Sequence, residues 1–252
     1  MNCLTIGALL DSELHLERFS DVSNNGLQLE NRGEIDCIVT AVDASLETFE
    51  AAVAQGAQMV IVHHGLSWGN SLARITEVNY TLLSYAMKHN LAVYAAHLPL
   101  DAHPVLGNNA QLAKLFGLND LHPFMAYHGQ KIGFSGTLSE PLSREAFEAR
   151  IREAIKPVRM EVFPYGGALI TTVGICSGGA PEGIAEAARD GLDAYVCGEA
   201  NLMAYHLARH CRQNGYFAGH YVTERYGVLA LADWLQSQTQ CPVHFIDFNL
   251  PY

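Results

Sequence analysis

Two stretches of this chain repeat one another, and the repeat limits what the chain can build. The segment EAAVAQG (50–56) precedes an apolar run at 59–62, which ends at His63 and His64. Its counterpart AEAARDG (185–191) precedes an apolar run at 194–197, which ends at Gly198 and Glu199. A further apolar run at 92–96 leads into His97 and then Asp101; its counterpart at 216–219 leads into His220 and then Glu224. Short apolar runs alternating with helical segments read as parallel strands covered on both faces, and internal repetition is read before any finer detail. The expected fold class is therefore α/β: two related α/β lobes with mainly parallel sheets, residues 1–125 and 126–252. They are expected to face each other, or to merge into one compact domain, with a site between them at the strand carboxyl ends.

The remaining elements follow from periodicity and turn residues. Residues 2–18 are expected to form an amphipathic helix, followed by a polar turn at 23–26. Strands are expected at 35–42, 59–62 and 92–96, with helices at 46–55, 76–89 and 105–116. The middle is less regular. A strand at 131–138, a helix at 143–155 capped by Ser143, and strands at 159–163 and 169–176 are expected there. A helix at 226–237 follows the second His-x-x-x-carboxylate, and a last strand at 243–248 completes one sheet.

Bulk properties exclude several classes. Lys plus Arg number 15 against 26 Asp plus Glu, so 15 − 26 leaves a net charge of −11. That sign disfavours broad nucleic-acid or anionic-membrane binding. Asp11, Glu13 and Glu17 fall where a signal peptide is apolar, and no apolar stretch approaches the roughly 18 residues a membrane span requires. The chain reads as cytoplasmic. Its six cysteines contain no C-x-x-C pair, so a disulfide framework or structural zinc site is not expected, and buried apolar thiols are.

The chemistry lies with the histidines. His63, His64, His97 and His220 all fall at expected strand ends, where ligands collect in open parallel sheets. Asp101 and Glu224 lie one turn further on. Imidazole and carboxylate donors without thiolate suit zinc, manganese or iron. His63, His64, Asp101, His220 and Glu224 are read as ligands of two divalent metal ions, with Asp101 or Glu224 as the bridge. By internal symmetry with His220, His97 is a further ligand candidate; the preferred reading is the catalytic acid–base group or a partner of Asp101. Glu199 is either a proton carrier at the rim or a simple strand-end carboxylate. The turn Ser177, Gly178, Gly179 is read as a strand-to-helix connection more than as an anion cradle. Trp68 either stacks on a base or packs.

At these residues the chain resembles the NIF-three-like proteins, in particular their short bacterial YbgI type. The matching segments are NGLQLE (25–30), VIVHHG (60–65), HLPLDAHP (97–104), GNNAQL (107–112), GE (198–199) and GHYVTER (219–225). The resemblance implies a dinuclear metal site on His63, His64, Asp101, His220 and Glu224, with the glutamate bridging, and a ring-shaped homohexamer. Members often carry the label GTP cyclohydrolase I type 2. That label implies hydrolytic opening of the guanine imidazole ring with release of formate, hence a small-molecule substrate such as a purine nucleotide. Metal handling and a metal-stabilised scaffold are the competing readings, and a phosphoesterase or amidase is compatible with the same ligands.

Overall fold

The computed structural model of the protein describes residues 1–252. Its strands are β1 (Gly26–Leu29), β2 (Ile38–Asp43), β3 (Met59–His64), β4 (Ala92–Ala95), β5 (Leu118–Tyr127), β6 (Gln130–Ser143), β7 (Glu161–Pro164), β8 (Leu169–Cys176), β9 (Ala194–Cys197), β10 (Asn214–Phe217) and β11 (Val243–Phe245). Its α-helices are α1 (Cys3–Leu14), α2 (Leu46–Ala54), α3 (Glu77–Lys88), α4 (Leu98–Asp101), α5 (Asn108–Phe116), α6 (Arg144–Ile155), α7 (Gly183–Arg189), α8 (Leu202–Cys211) and α9 (His220–Thr239). The chain divides into two compact units: Met1–Leu100 with Val228–Phe248, and Asp101–Gly227 with Asn249–Tyr252. The division after Leu100, and the return of Val228–Phe248 to the first unit, differ from a split at 125/126. The return is enforced by β11, which pairs in parallel with β2.

The first unit holds a sheet in the order β1-β4-β3-β2-β11. The three neighbour pairs from β4 to β11 are parallel, and β1 joins antiparallel at the edge. β3 and β4 are buried almost throughout, the pattern of strands covered on both faces. Val39, Val60, Val62, Val93 and Ala95 pack with Phe49, Ala52, Leu83 and Ala86 of α2 and α3. Ser45 starts α2 by accepting a hydrogen bond from the Thr48 amide at 3.0 Å, which satisfies one otherwise orphaned amide of the first turn.

The second unit holds a six-stranded sheet in the order β5-β6-β8-β9-β10-β7. Only β8-β9 and β9-β10 are parallel; β5-β6, β6-β8 and β10-β7 are antiparallel. The expectation of mainly parallel pairing thus holds for the first sheet and is corrected for the second, which is mixed. The cause is local. A two-residue turn, His128 and Gly129, both with positive φ, folds β5 directly back on β6, and a tight turn joins neighbours antiparallel. Pro123 and Pro164 sit on the edge strands β5 and β7, where a missing amide costs least. Phe116, Phe147, Ile151, Ile155, Val173 and Tyr216 lie in its core.

The internal repeat is visible in both sheets. α2 precedes β3 as α7 precedes β9, and β3-β4 and β9-β10 are adjacent parallel pairs. Four elements were not foreseen from the sequence: β1, α4, β5 and α8. The four-residue β1 is too short for alternation to show. β5, LNDLHPFMAY, mixes polar residues and a proline because it is an edge. The free thiols of Cys3, Cys176 and Cys197 are buried as expected, while Cys211 is exposed; burial pushes the Cys197 thiol up to about 11. No helix is long and apolar enough to cross a membrane.

Candidate metal centre

In the first unit, the carboxyl ends of β3 and β4 bring three imidazoles together. His63 and His64 end β3, and His97 follows β4. Their candidate ligand atoms lie within 4.8 Å of one another. The ring centroids of His63 and His64 are 4.7 Å apart, and those of His63 and His97 5.0 Å apart. Trp68 closes over the group, its ring 5.0 Å from that of His97 and 5.9 Å from that of His64. It packs on the histidines, and its indole N–H is spent on the Gly65 carbonyl at 2.8 Å.

Each of the three rings is held by the same atom. His63 Nδ1 meets the Ala96 carbonyl at 2.8 Å. His64 Nδ1 meets Asp43 Oδ1 at 2.8 Å. His97 Nδ1 lies 3.0 Å from both carboxylate oxygens of Asp21. A carbonyl or ionised carboxylate only accepts, so Nδ1 carries the proton and Nε2 is the second nitrogen of each ring. Parallel register sets one of these pairs: Asp43 of β2 lies opposite His64 of β3. The Asp21 side chain is 2% exposed. Burial pushes its carboxyl up, but the hydrogen bond and charge of His97, with hydrogen bonds from Asn25 and Ser23, outweigh burial and hold it down at about 2.

The second unit builds its own group around the turn after β8. His220 opens α9, and Glu224 follows one turn later, so both stand on one helical face. His220 Nε2 lies 3.0 Å from Glu224 Oε2. Its Nδ1 lies 2.6 Å from Glu199 Oε1, the same arrangement as in the first unit. Glu199, equivalent to His64 in the repeat, is thus the carboxylate that holds an imidazole. Ser177 donates its hydroxyl to Asp101 Oδ1 at 3.0 Å, and Asn108 donates to the same oxygen at 2.9 Å. Gly178 adopts φ +64°, and a Cβ there would run into Glu224 Oε1 and come within 3.1 Å of His220 Nε2. The amides of Ser177 and Gly178 are taken by Asn109 Oδ1 at 2.7 Å and Thr223 Oγ1 at 3.0 Å. The turn therefore holds Asp101 through Ser177 and leaves room for the Glu224 carboxylate at Gly178, with those two amides committed to the protein.

The structure brings His63, His64 and His97 together in one unit and gathers Asp101, His220 and Glu224 about one turn in the other. Asp21 and Asp43 escaped sequence reasoning. An aspartate before a polar turn or at a strand end is ordinary, and only the fold places it against a histidine. The donor set fits divalent metal. Ligating histidines characteristically give their second ring N–H to a carboxylate or carbonyl, which fixes the tautomer and aims the free lone pair. Four imidazoles here share that arrangement, with nearby carboxylates and no thiolate.

The Duf34/NIF3 (NGG1p interacting factor 3) family pattern matches residues 1–251. The chain belongs to the Duf34/NIF3 family. A Pasteurella multocida relative named GTP cyclohydrolase 1 type 2 homolog is 38% identical over 251 residues, covering 100% of both chains. A Deinococcus radiodurans relative of the same name is 41% identical over 239 residues, 95% of this chain and 90% of its own. Among solved structures, the protein ybgI, described as of unknown function, matches with TM-score 0.94 at 34% identity over 100% of both chains. A Thermus thermophilus protein matches with TM-score 0.89 at 31% identity over 98% of each chain. The Duf34/NIF3 likeness thus spans residues 1–251, both candidate ligand groups included.

Proposed function

We propose that this Duf34/NIF3 protein is a dinuclear-metal hydrolase whose ligands are His63, His64, Asp101, His220 and Glu224. The observation that carries the reading is the shared Nδ1 tether of the histidines, which commits each ring to ligation through Nε2. His97 directly precedes α4, and Asp101 is the last residue of that turn. Two divalent ions held there would supply Lewis acidity and bring the pKa of a bound water to about 7.

The protein's own groups then divide the work. Glu224, whose carboxylate occupies the space that a side chain at Gly178 would fill, would serve as bridge, and Asp101 accepts from Ser177 and Asn108. His97 keeps its Nδ1 proton on Asp21 and offers Nε2 to accept or return a proton during hydrolysis. Trp68 shields the imidazoles from bulk water.

GTP is the best-named substrate, because curated relatives of 38% and 41% identity carry the name GTP cyclohydrolase 1 type 2 homolog. The reaction would open the guanine imidazole ring hydrolytically and release formate. The assembly proposed with it is a homohexamer, checked by light scattering. The test of function is metal-loaded protein with GTP, followed by formate release, alongside elemental analysis. About two ions per chain are expected, with turnover abolished in Glu224→Ala. Equal formate release by wild type and Glu224→Ala would eliminate the cyclohydrolase reading; fewer than two ions would eliminate the dinuclear one.

A further inference from the structure

We propose that Asp21 is the positioning residue of the site: it fixes the proton of His97 on Nδ1 and turns Nε2 toward the neighbouring histidines. The proposal rests on the reading of His97 as the proton carrier. Its basis is the complete set of partners around one buried carboxylate. Oδ1 accepts from the Ser23 amide at 3.1 Å and faces His97 Nδ1 at 3.0 Å. Oδ2 accepts from Asn25 Nδ2 at 2.9 Å and from the Leu98 amide at 3.1 Å, and faces His97 Nδ1 at 3.0 Å.

Every amide partner is an obligate donor, and both oxygens are used. Three amide donors on its two oxygens stabilise the ionised carboxylate over the acid, and a side-chain amide here would set its own N–H against the Ser23 amide or against those of Asn25 and Leu98. An ionised carboxylate facing Nδ1 in turn admits only the Nδ1–H form of His97. The loop also grips the main chain: Asn25 Oδ1 accepts from the His97 amide at 2.7 Å. The segment 21–25 therefore clamps the end of β4 by backbone and ring together, which fixes both the place and the proton of the imidazole. His97 remains 19% exposed by side chain, against 2% for Asp21, so the ring is reachable while its anchor is not.

A purely structural role would also destabilise the loop when Asp21 is replaced, so the test reads the proton. In the metal-free protein labelled with nitrogen-15 at histidine, the His97 ring is expected as the Nδ1–H tautomer. Asp21→Asn should shift it to the Nε2–H form or to a mixture. Asn25→Ala, which loosens the same loop but leaves the Asp21 carboxylate against the ring, should keep it. In the zinc-loaded enzyme, Asp21→Asn should lower kcat by about 100-fold or more, with KM nearly unchanged and two ions retained, and Asp21→Glu should recover part of the loss. An Nε2–H tautomer in the wild type overturns the proposal, and that measurement needs no variant to fold. So does an unchanged tautomer, or wild-type kcat, in Asp21→Asn. If metal-loaded wild type turns over nothing, the hydrolase reading falls by itself, and the tautomer still decides the role of Asp21.

Discussion

Gly178→Ala separates the two things a glycine can do at this centre. Gly178 has φ +64°, and a Cβ there meets the buried carboxylate of Glu224; Gly191 has φ +71° with nothing within 4 Å of the added atom. Alanine in the left-handed region costs about 1 kcal/mol in either place. For a chain of this size that lowers Tm by about 2–4 °C. Glu224 is a long side chain, so the collision at Gly178 is relieved by moving its carboxylate and adds little to the stability loss. What moves is a proposed metal ligand. Displacing it should weaken metal binding by at least about tenfold, or about 1.4 kcal/mol. The assay pairs urea unfolding of both variants in the metal-free state with zinc titration against a chromophoric chelator. The expected result is equal loss of stability in both and loss of zinc affinity in Gly178→Ala alone. Wild-type zinc affinity in Gly178→Ala would refute the argument that this turn shapes the centre.

Acid should expose Asp21 directly. Its carboxyl is held at about 2 against an ordinary 3.8, so it contributes stability above about pH 3.8 that is lost as pH falls through about 2. The contribution amounts to about 2 kcal/mol, and urea unfolding between those values should show a shallower pH dependence in Asp21→Ala. In the second unit, Phe147 is fully buried, with ring centroids 5.2 Å from Tyr216 and 6.4 Å from Phe116. Phe147→Ala should cost about 3–5 kcal/mol in urea unfolding while leaving zinc stoichiometry intact. Chelation should lower Tm reversibly, and zinc at about 100 times its Kd should restore about 2.7 kcal/mol; a Tm indifferent to chelator would count against a resident metal.

Much of the site's placement is legible in the chain. Apolar runs too short for helices end at His63, His64, His97 and His220, and parallel strands collect ligands at those ends. The carboxylates Asp101 and Glu224 follow at one turn because a strand end leading into a helix leaves that spacing. Ser143 caps α6, accepting from the Ala146 amide at 3.2 Å, as its position before the helix suggests. α9 was legible only in part. It begins at His220 itself, so His220 and Glu224 sit on one helix instead of straddling a loop.

What sequence alone determined is the kind of chemistry: α/β units with imidazoles and carboxylates at equivalent strand ends. Those features are local, because strand and helix periodicity and i to i+4 spacing are properties of contiguous residues. Tertiary structure decided which partner each imidazole has. Asp21 meets His97 across 76 positions, Asp43 meets His64 across 21, and Ser177 meets Asp101 across 76. Such pairings depend on strand register and on where loops return, and no local pattern encodes them. The mixed order of the second sheet belongs to the same class, since a turn sets the direction of one neighbour while the long-range pairings of β8, β9 and β10 are settled only when the core packs.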